Sequence, residues 1–313
     1  MVSERLLPMP LRGIIPPMIT PLVDRDAVDH AGLERLVEHI LAGGVHGLFI
    51  LGTTGEGPSL SYRLRCELIE RVGELVAGRV PLLVGITDTA FVESVNLAEH
   101  ALDAGAQAVV LSAPYYFPAG QPELIEYVEH IAEELPLPIF LYNMPSHTKI
   151  SFEPATLRRL FQIPNIVGLK DSSGDMSYFH RARQAAETRP ELSLLVGPEA
   201  LLAESLLLGA HGGVAGGANL VPRLFVELYR AAVRRDLEQV VALHGQVMRL
   251  ASTIYSVGRH PSAFLKGVKC ALSCLGICDD AMAEPFQRFG SAEREQIRGY
   301  LRELGLDAAM TER

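Results

Sequence analysis

The sequence alternates between short apolar runs and longer stretches of helical period, and this alternation restricts the folds open to the chain. Eight runs are rich in Val, Ile and Leu, and most of them are apolar throughout. Strands of that kind lie in sheets covered on both faces, and strand–helix alternation favours parallel pairing. The predicted strands are residues 13–19, 47–51, 81–85, 108–112, 138–142, 166–170, 192–196 and 213–215.

Seven segments between these runs have the apolar spacing of helices. Eight consecutive βα units are typical of a closed (β/α)8 barrel, with an open doubly wound sheet as the alternative. The sequence therefore predicts an α/β protein of the TIM-barrel class. The predicted helices are residues 29–42, 61–77, 93–104, 122–134, 154–161, 176–187 and 199–208.

The last part of the chain has helical patterns without strands between them. We interpret residues 1–218 as the barrel and residues 219–313 as a C-terminal helical extension packed on it, the two forming one continuous unit. No low-complexity stretch separates them. The predicted helices of the extension are residues 222–234, 237–252, 261–275 and 292–304.

Charge and composition exclude several classes of partner. The net charge is −9 and no basic cluster is present, so we expect no nucleic-acid binding. The apolar runs are far shorter than the roughly 20 residues of a membrane span. The first residues lack the basic and apolar segments of a secretory signal, and four cysteines fit a reducing compartment, so we expect a cytoplasmic protein.

Lysine is scarce, and this makes one lysine conspicuous. Among 28 basic residues, lysine occurs four times, at positions 149, 170, 266 and 269. Arginine stays protonated and cannot act as a nucleophile, whereas a desolvated lysine can. Lys170 ends an apolar strand, where barrel enzymes place their active sites. We expect a neutral amine there that forms a Schiff base with a ketone, or else an ion pair with Glu56 or Asp171.

Other strand ends offer hydroxyl groups. Thr53 and Thr54 lie in a glycine-flanked turn after the second strand, which suits a carboxylate ligand or is a plain turn whose threonine caps a backbone amide. The histidines form no H-x-H or H-E-x-x-H motif, which argues against a zinc-dependent aldolase. Cys270, Cys274 and Cys278 recur every four residues, and we interpret them as buried hydrophobes rather than as metal ligands.

Four motifs follow one another at the predicted strand ends. They are Gly52-Thr53-Thr54-Gly55-Glu56, Tyr115-Tyr116, Tyr142-Asn143-x-Pro145 and Gly168-x-Lys170-Asp171. In this order and spacing they resemble the dihydrodipicolinate synthase / N-acetylneuraminate lyase family of class I aldolases, over about residues 11–305. The resemblance implies a (β/α)8 barrel with a C-terminal helical layer, usually a homotetramer made of two dimers. It also implies reaction of pyruvate or a related 2-oxo acid through a lysine imine, with no further cofactor and no metal.

The resemblance assigns roles to individual residues. Lys170 forms the imine, and Tyr142 relays protons and contacts the carboxylate of pyruvate. Thr53 links Tyr142 to Tyr116, which the neighbouring subunit donates in synthase-like members.

Two further residues are expected to bind the keto acid. Thr54 binds its carboxylate through hydroxyl and amide. Val214 lies where a backbone carbonyl of the family contacts the bound 2-oxo acid.

One departure from the family pattern concerns the second substrate. His147 occupies the position where dihydrodipicolinate synthases usually carry an arginine that binds the carboxylate of aspartate semialdehyde, and histidine replaces that bidentate group poorly. We predict a lyase joining pyruvate and an aldehyde, with 4-hydroxy-tetrahydrodipicolinate synthesis slightly favoured. The alternatives are a 2-keto-3-deoxy sugar-acid or 4-hydroxy-2-oxoglutarate aldolase, a dehydratase on the same imine and, remotely, a non-catalytic keto-acid-binding protein.

Overall fold

Eight parallel strands form the centre of the molecule, as a computed structural model that describes residues 7–307 shows. The strands are β1 (Gly13–Ile14), β2 (Leu48–Ile50), β3 (Leu82–Gly85), β4 (Ala108–Ser112), β5 (Ile139–Asn143), β6 (Ile166–Asp171), β7 (Ser193–Val196) and β8 (Gly212–Gly213). Hydrogen-bonded neighbours follow the order β1-β8-β7-β6-β5-β4-β3-β2.

The sheet closes on itself beyond the short first strand. Phe49 of β2 accepts a hydrogen bond from Met18 N at 2.8 Å and donates one to Pro16 O at 3.0 Å. The prediction of a strand over residues 13–19 was too long, because prolines 16 and 17 lack the N–H groups that a regular ladder requires. The ring of strands is nevertheless complete, and the predicted (β/α)8 barrel is confirmed.

Helices surround the barrel and continue beyond it. Two short antiparallel strands, Leu22–Asp24 and Ala27–Val28, and a short helix, Pro145–Thr148, were not predicted. The helix predicted over residues 199–208 is divided into a 3-10 turn, Glu199–Leu201, and an α-helix, Leu202–Leu207. The helices are α1 (His30–Ala42), α2 (Tyr62–Val76), α3 (Phe91–Asp103), α4 (Gln121–Glu134), α5 (Pro145–Thr148), α6 (Pro154–Leu160), α7 (Met176–Ala185), α8 (Leu202–Leu207), α9 (Pro222–Arg234), α10 (Leu237–Ser252), α11 (Ala263–Cys274) and α12 (Ser291–Glu303).

Two apolar clusters hold these layers together. The larger one lies between the strands and the surrounding helices, and the smaller one fills the barrel. Each fully buried aliphatic or aromatic side chain contributes about 1.5–3 kcal/mol relative to its exposed state. The barrel interior therefore is a packed core, open to ligands at one end. Its buried members are Leu11, Ile15, Phe49, Leu83, Ala108, Val110, Phe140, Tyr142, Leu195 and Val214.

The segment between α11 and α12 contacts the barrel layer through its backbone. Arg35 Nε of α1 donates to Ile277 O at 2.8 Å, and Asp279 N donates to Asp29 Oδ2 at 2.9 Å. The boundary at residue 218 stays a prediction, and the predicted ends of the two segments, residues 1–6 and 308–313, lie outside the described residues. Within residues 7–307, no helix is both long enough and apolar enough to cross a membrane.

Asn219 links the segment after β1 to the segment after β8, where the ring of strands closes. Its side chain is fully buried; Nδ2 donates to Pro17 O at 2.9 Å and to Gly216 O at 2.7 Å, while Oδ1 accepts from Ile19 N at 3.0 Å. We expect Asn219→Ala to lower the free energy of unfolding by about 3 kcal/mol, because it leaves these buried groups unpaired. Urea denaturation measures the change.

A matched control is Asn96→Ala, which alters an exposed position on α3 and should change stability by less than about 0.5 kcal/mol. An equally small effect at Asn219 would show that its hydrogen bonds do not stabilise the closure.

Candidate active site

The ends of β5 and β6 bring an amine and a phenol together. Tyr142 and Lys170 are paired residues of these neighbouring strands, and the ammonium nitrogen lies 3.8 Å from the centre of the tyrosine ring. It also lies 4.8 Å from the ring of Phe49 in the barrel core. Lys170 is 5% exposed. The sequence prediction that a strand would bury this lysine is therefore confirmed.

No carboxylate among residues 7–307 forms an ion pair with Lys170. The alternative partners from the sequence are both engaged elsewhere: Glu56 Oε1 lies 2.6 Å from Lys269 Nζ, and Asp171 accepts hydrogen bonds from Asn143 and Ser173. Burial lowers the pKa of Lys170 below its usual range, although the Tyr142 phenol partly opposes this effect. The arrangement favours a neutral, nucleophilic amine.

The Tyr142 phenol is linked to the turn that follows β2. Its oxygen lies 3.4 Å from Thr53 Oγ1. Burial tends to raise the pKa of Tyr142, but the charge that Lys170 carries in its protonated form and hydrogen bonds from Thr53 and Ser172 outweigh it, so the pKa lies below its usual value. A phenol of this kind exchanges protons with a neighbouring amine more readily than an ordinary tyrosine does.

The turn after β2 requires unusual backbone geometry. Leu51 and Glu56, on either side of the Thr53-Thr54 pair, both have left-handed backbone angles. A Cβ at Gly57 would lie 2.2 Å from Leu51 O, so glycine is required there. This tight turn directs Thr53 and Thr54 into the same cavity as Lys170.

The cavity above the strand ends has a volume of about 900 Å³. It brings together six of the seven site residues predicted from the sequence. Tyr116 is not among its lining residues; it is 74% exposed and contacts Phe117 edge to face, with the ring centres 5.0 Å apart. The six residues that line the cavity are Thr53, Thr54, Tyr142, His147, Lys170 and Val214.

His147 lies at the rim of this cavity. Its Nδ1 is 2.9 Å from Ser146 Oγ, in the short helix α5. Partial loss of hydration and the nearby charge of Lys149 hold the pKa of His147 below its usual value. The ring is therefore mainly neutral at pH 7, and it supplies little positive charge to an anionic ligand.

Glu199 is a site residue that the sequence reasoning missed. It follows the end of β7 and lines the cavity. Its carboxylate accepts hydrogen bonds from Gly217 N at 2.5 Å and from Tyr255 Oη at 3.0 Å. Burial nevertheless raises the pKa of Glu199 to about 7. The signal was available, because Glu199 comes three residues after a predicted strand end.

Burial of the Lys170 amine should reduce stability as well as enable chemistry. We expect Lys170→Met to raise the free energy of unfolding by about 1–2 kcal/mol, as for other substitutions that remove a strained active-site group. The pKa of Lys170 is lower in the folded than in the unfolded state. The free energy that the parent loses by burying the protonated amine is therefore largest below the folded-state pKa, and it disappears as pH rises towards about 10.4.

Thermal unfolding at several pH values measures this effect. The gain in Tm should shrink with increasing pH, and Lys266→Met, which changes a partly buried lysine of α11, is the control. A loss of stability in Lys170→Met at every pH would contradict the interpretation.

Comparison with known proteins adds independent support for the fold and shows the family. Residues 10–304 match the dihydrodipicolinate synthetase family. A 4-hydroxy-tetrahydrodipicolinate synthase of Aromatoleum aromaticum is 31% identical, over 95% of this chain and 99% of the relative.

Solved structures of the same fold also match nearly the whole chain. The dihydrodipicolinate synthase of Bacteroides thetaiotaomicron is 56% identical, with a TM-score of 0.93 over 95% of this chain and 99% of that one. YagE of Escherichia coli K12, a member of the dihydrodipicolinic acid synthase family solved with pyruvate, is 28% identical, with a TM-score of 0.89 and coverage of 95% and 99%. From this agreement it follows that the chain is a lyase of the dihydrodipicolinate synthetase family.

Proposed function

We propose that this lyase forms an imine between Lys170 and pyruvate and joins the bound pyruvate to an aldehyde. The observation that carries the proposal is the buried amine of Lys170, which has a lowered pKa and lies against the Tyr142 phenol. The names of the relatives and the pyruvate bound in YagE support pyruvate as the 2-oxo acid. The leading assignment is 4-hydroxy-tetrahydrodipicolinate synthesis from pyruvate and aspartate semialdehyde.

The reaction requires several proton transfers near one nitrogen atom. Lys170 Nζ attacks the C2 carbon of pyruvate, and the carbonyl oxygen leaves as water after taking up protons through Tyr142. The imine then draws electrons from C3, which loses a proton to give an enamine. The enamine carbon attacks the aldehyde carbon and forms the new bond, and the aldehyde oxygen takes up a proton. With aspartate semialdehyde, the amino group of the acceptor then attacks C2 and displaces the Lys170 amine as the ring closes. With an acceptor that has no amine, water attacks C2 and hydrolyses the imine. Both routes restore the amine, so no other cofactor is needed.

The remaining site residues hold pyruvate and complete the proton path. Thr54 binds the carboxylate, the Val214 carbonyl contacts the keto acid, and Thr53 connects Tyr142 to Tyr116. Tyr116 is highly exposed in the single chain. We assign it to the cavity of a second copy, in a homotetramer built from two dimers.

The polar groups around the cavity favour a second candidate function, in which the acceptor is a different aldehyde. Aspartate semialdehyde carries a carboxylate, but the rim offers a mainly neutral His147, and the cavity wall carries the carboxyl group of Glu199. Near neutral pH, a carboxyl group with a pKa of about 7 is present in both protonation states. It can therefore accept a hydrogen bond from a hydroxyl group or donate one to it. This chemistry suits a hydroxylated aldehyde, as in 2-keto-3-deoxy sugar-acid aldolases.

Reductive trapping tests the proposed imine. Borohydride in the presence of pyruvate should attach the reduced pyruvate to the peptide that contains Lys170, and mass spectrometry should find no adduct in Lys170→Met. We expect Tyr142→Phe to lower the rate of adduct formation about 100-fold or more, because the proton relay is lost. An unmodified Lys170 peptide in the parent protein would contradict the mechanism.

Acceptor use separates the two candidate functions. We expect the parent to consume pyruvate with aspartate semialdehyde, and His147→Arg to raise kcat/KM for this acceptor by about tenfold, because a charged donor is added. If the hydroxylated acceptor is the natural one, glyceraldehyde is the better substrate. Glu199→Gln then lowers its kcat/KM about tenfold and leaves pyruvate trapping intact.

Two results would count against these roles. An unchanged kcat/KM for aspartate semialdehyde in His147→Arg would remove position 147 from the acceptor site. Equal effects of Glu199→Gln on both aldehydes would mean that Glu199 does not distinguish between them.

A further inference from the structure

A buried ion pair connects the C-terminal helices to the turn after β2. Lys269 Nζ of α11 lies 2.6 Å from Glu56 Oε1, and the two side chains are 0% and 2% exposed. The second carboxylate oxygen, Oε2, accepts a hydrogen bond from Ala283 N at 2.8 Å. Both oxygens of Glu56 are therefore bound by groups from the last part of the chain.

Such a pair contributes little to stability compared with an apolar replacement. Removing two charges from water costs free energy that their attraction often fails to recover, and buried pairs replaced by apolar residues frequently leave stability unchanged or increased. A buried pair of this kind can instead fix one geometry of the groups that it joins. Here it joins α11 to the turn on which Glu56 lies.

Glu56 belongs to the same hydrogen-bonded turn as the threonines. Its backbone N–H donates to Thr53 O at 3.1 Å, and its own backbone angle is left-handed, with φ at 56°. An L-residue adopts this conformation at a cost, and contacts of its side chain can offset that cost. The ion pair with Lys269 therefore helps to hold the turn in this conformation.

Other contacts also hold the turn. Thr20 Oγ1 donates to Gly55 O at 2.7 Å, and within the turn Gly57 N donates to Gly52 O at 3.2 Å. Glu56 adds to these backbone contacts a side chain that is fixed by Lys269 and by Ala283 N.

We propose that Lys269 is a positioning residue for pyruvate binding. Through Glu56 it fixes the hydroxyl groups of Thr53 and Thr54 relative to Lys170. Displacement of the turn by even 1 Å would weaken binding of the pyruvate carboxylate and slow imine formation. The inference rests on the proposed imine chemistry, because its effect is measured on pyruvate.

The experiment compares pyruvate dependence with stability in three variants. Lys269→Met leaves the Glu56 carboxylate buried without its partner, so Tm should fall and the pyruvate concentration that half-saturates borohydride trapping should rise about tenfold or more. The double variant Glu56→Gln/Lys269→Met removes both charges. Its Tm should recover towards that of the parent, while the half-saturating pyruvate concentration stays raised at least fivefold, an order-of-magnitude expectation.

The third variant controls for lost stability alone. Leu272→Ala opens a cavity at a fully buried position of α11 and should lower Tm with no change in the half-saturating pyruvate concentration. If Lys269→Met does not fold, the double variant and this control still decide the question. A double variant that recovers parental pyruvate dependence together with Tm would overturn the inference.

Failure of the inference can be distinguished from failure of the proposed function. A parent protein that gives no borohydride adduct with pyruvate contradicts the imine mechanism itself. A parent that traps pyruvate normally, with variants that show the same pyruvate dependence, contradicts only the role of Lys269.

Discussion

Burial of the Lys170 amine, which has no carboxylate partner among residues 7–307, is the interaction on which the site depends. Water would keep this amine protonated, and an ion pair would do the same. The β5 and β6 register places it against the ring of Tyr142 instead, with the ring of Phe49 on the barrel side. Glu56, one of the two carboxylates that the sequence offered as its partner, is paired with Lys269.

The C-terminal helices take part in the site as well as covering the barrel. Lys269 reaches the turn that carries Thr53 and Thr54, and Tyr255 donates a hydrogen bond to Glu199 at the cavity wall. Both contacts bring a polar group of the extension to a carboxyl group of the barrel. The barrel supplies the reactive strand ends, and the extension fixes side chains that surround them.

Much of the fold and part of the site could be predicted from the sequence. Apolar runs identified the strands because a sheet covered on both faces needs them, and the end of one run located Lys170. The partner of Glu56 could not be predicted, since Lys269 lies 213 residues away and only the folded chain brings them together. The sequence marks Glu199 only by its place after a strand end, and its contact with Tyr255, 56 residues away, forms only in the folded chain. The first strand is shorter than predicted because prolines 16 and 17 cannot donate to a regular ladder.

The protonation equilibrium of Lys170 tests the central claim most directly. The sequence contains four lysines, so selective labelling at the ε-carbon gives a simple NMR spectrum, and the signal lost in Lys170→Met identifies this residue. We predict that this signal titrates well below the ordinary lysine pKa of about 10.4. A signal that titrates at or above that value would contradict a neutral, nucleophilic amine as the basis of the site.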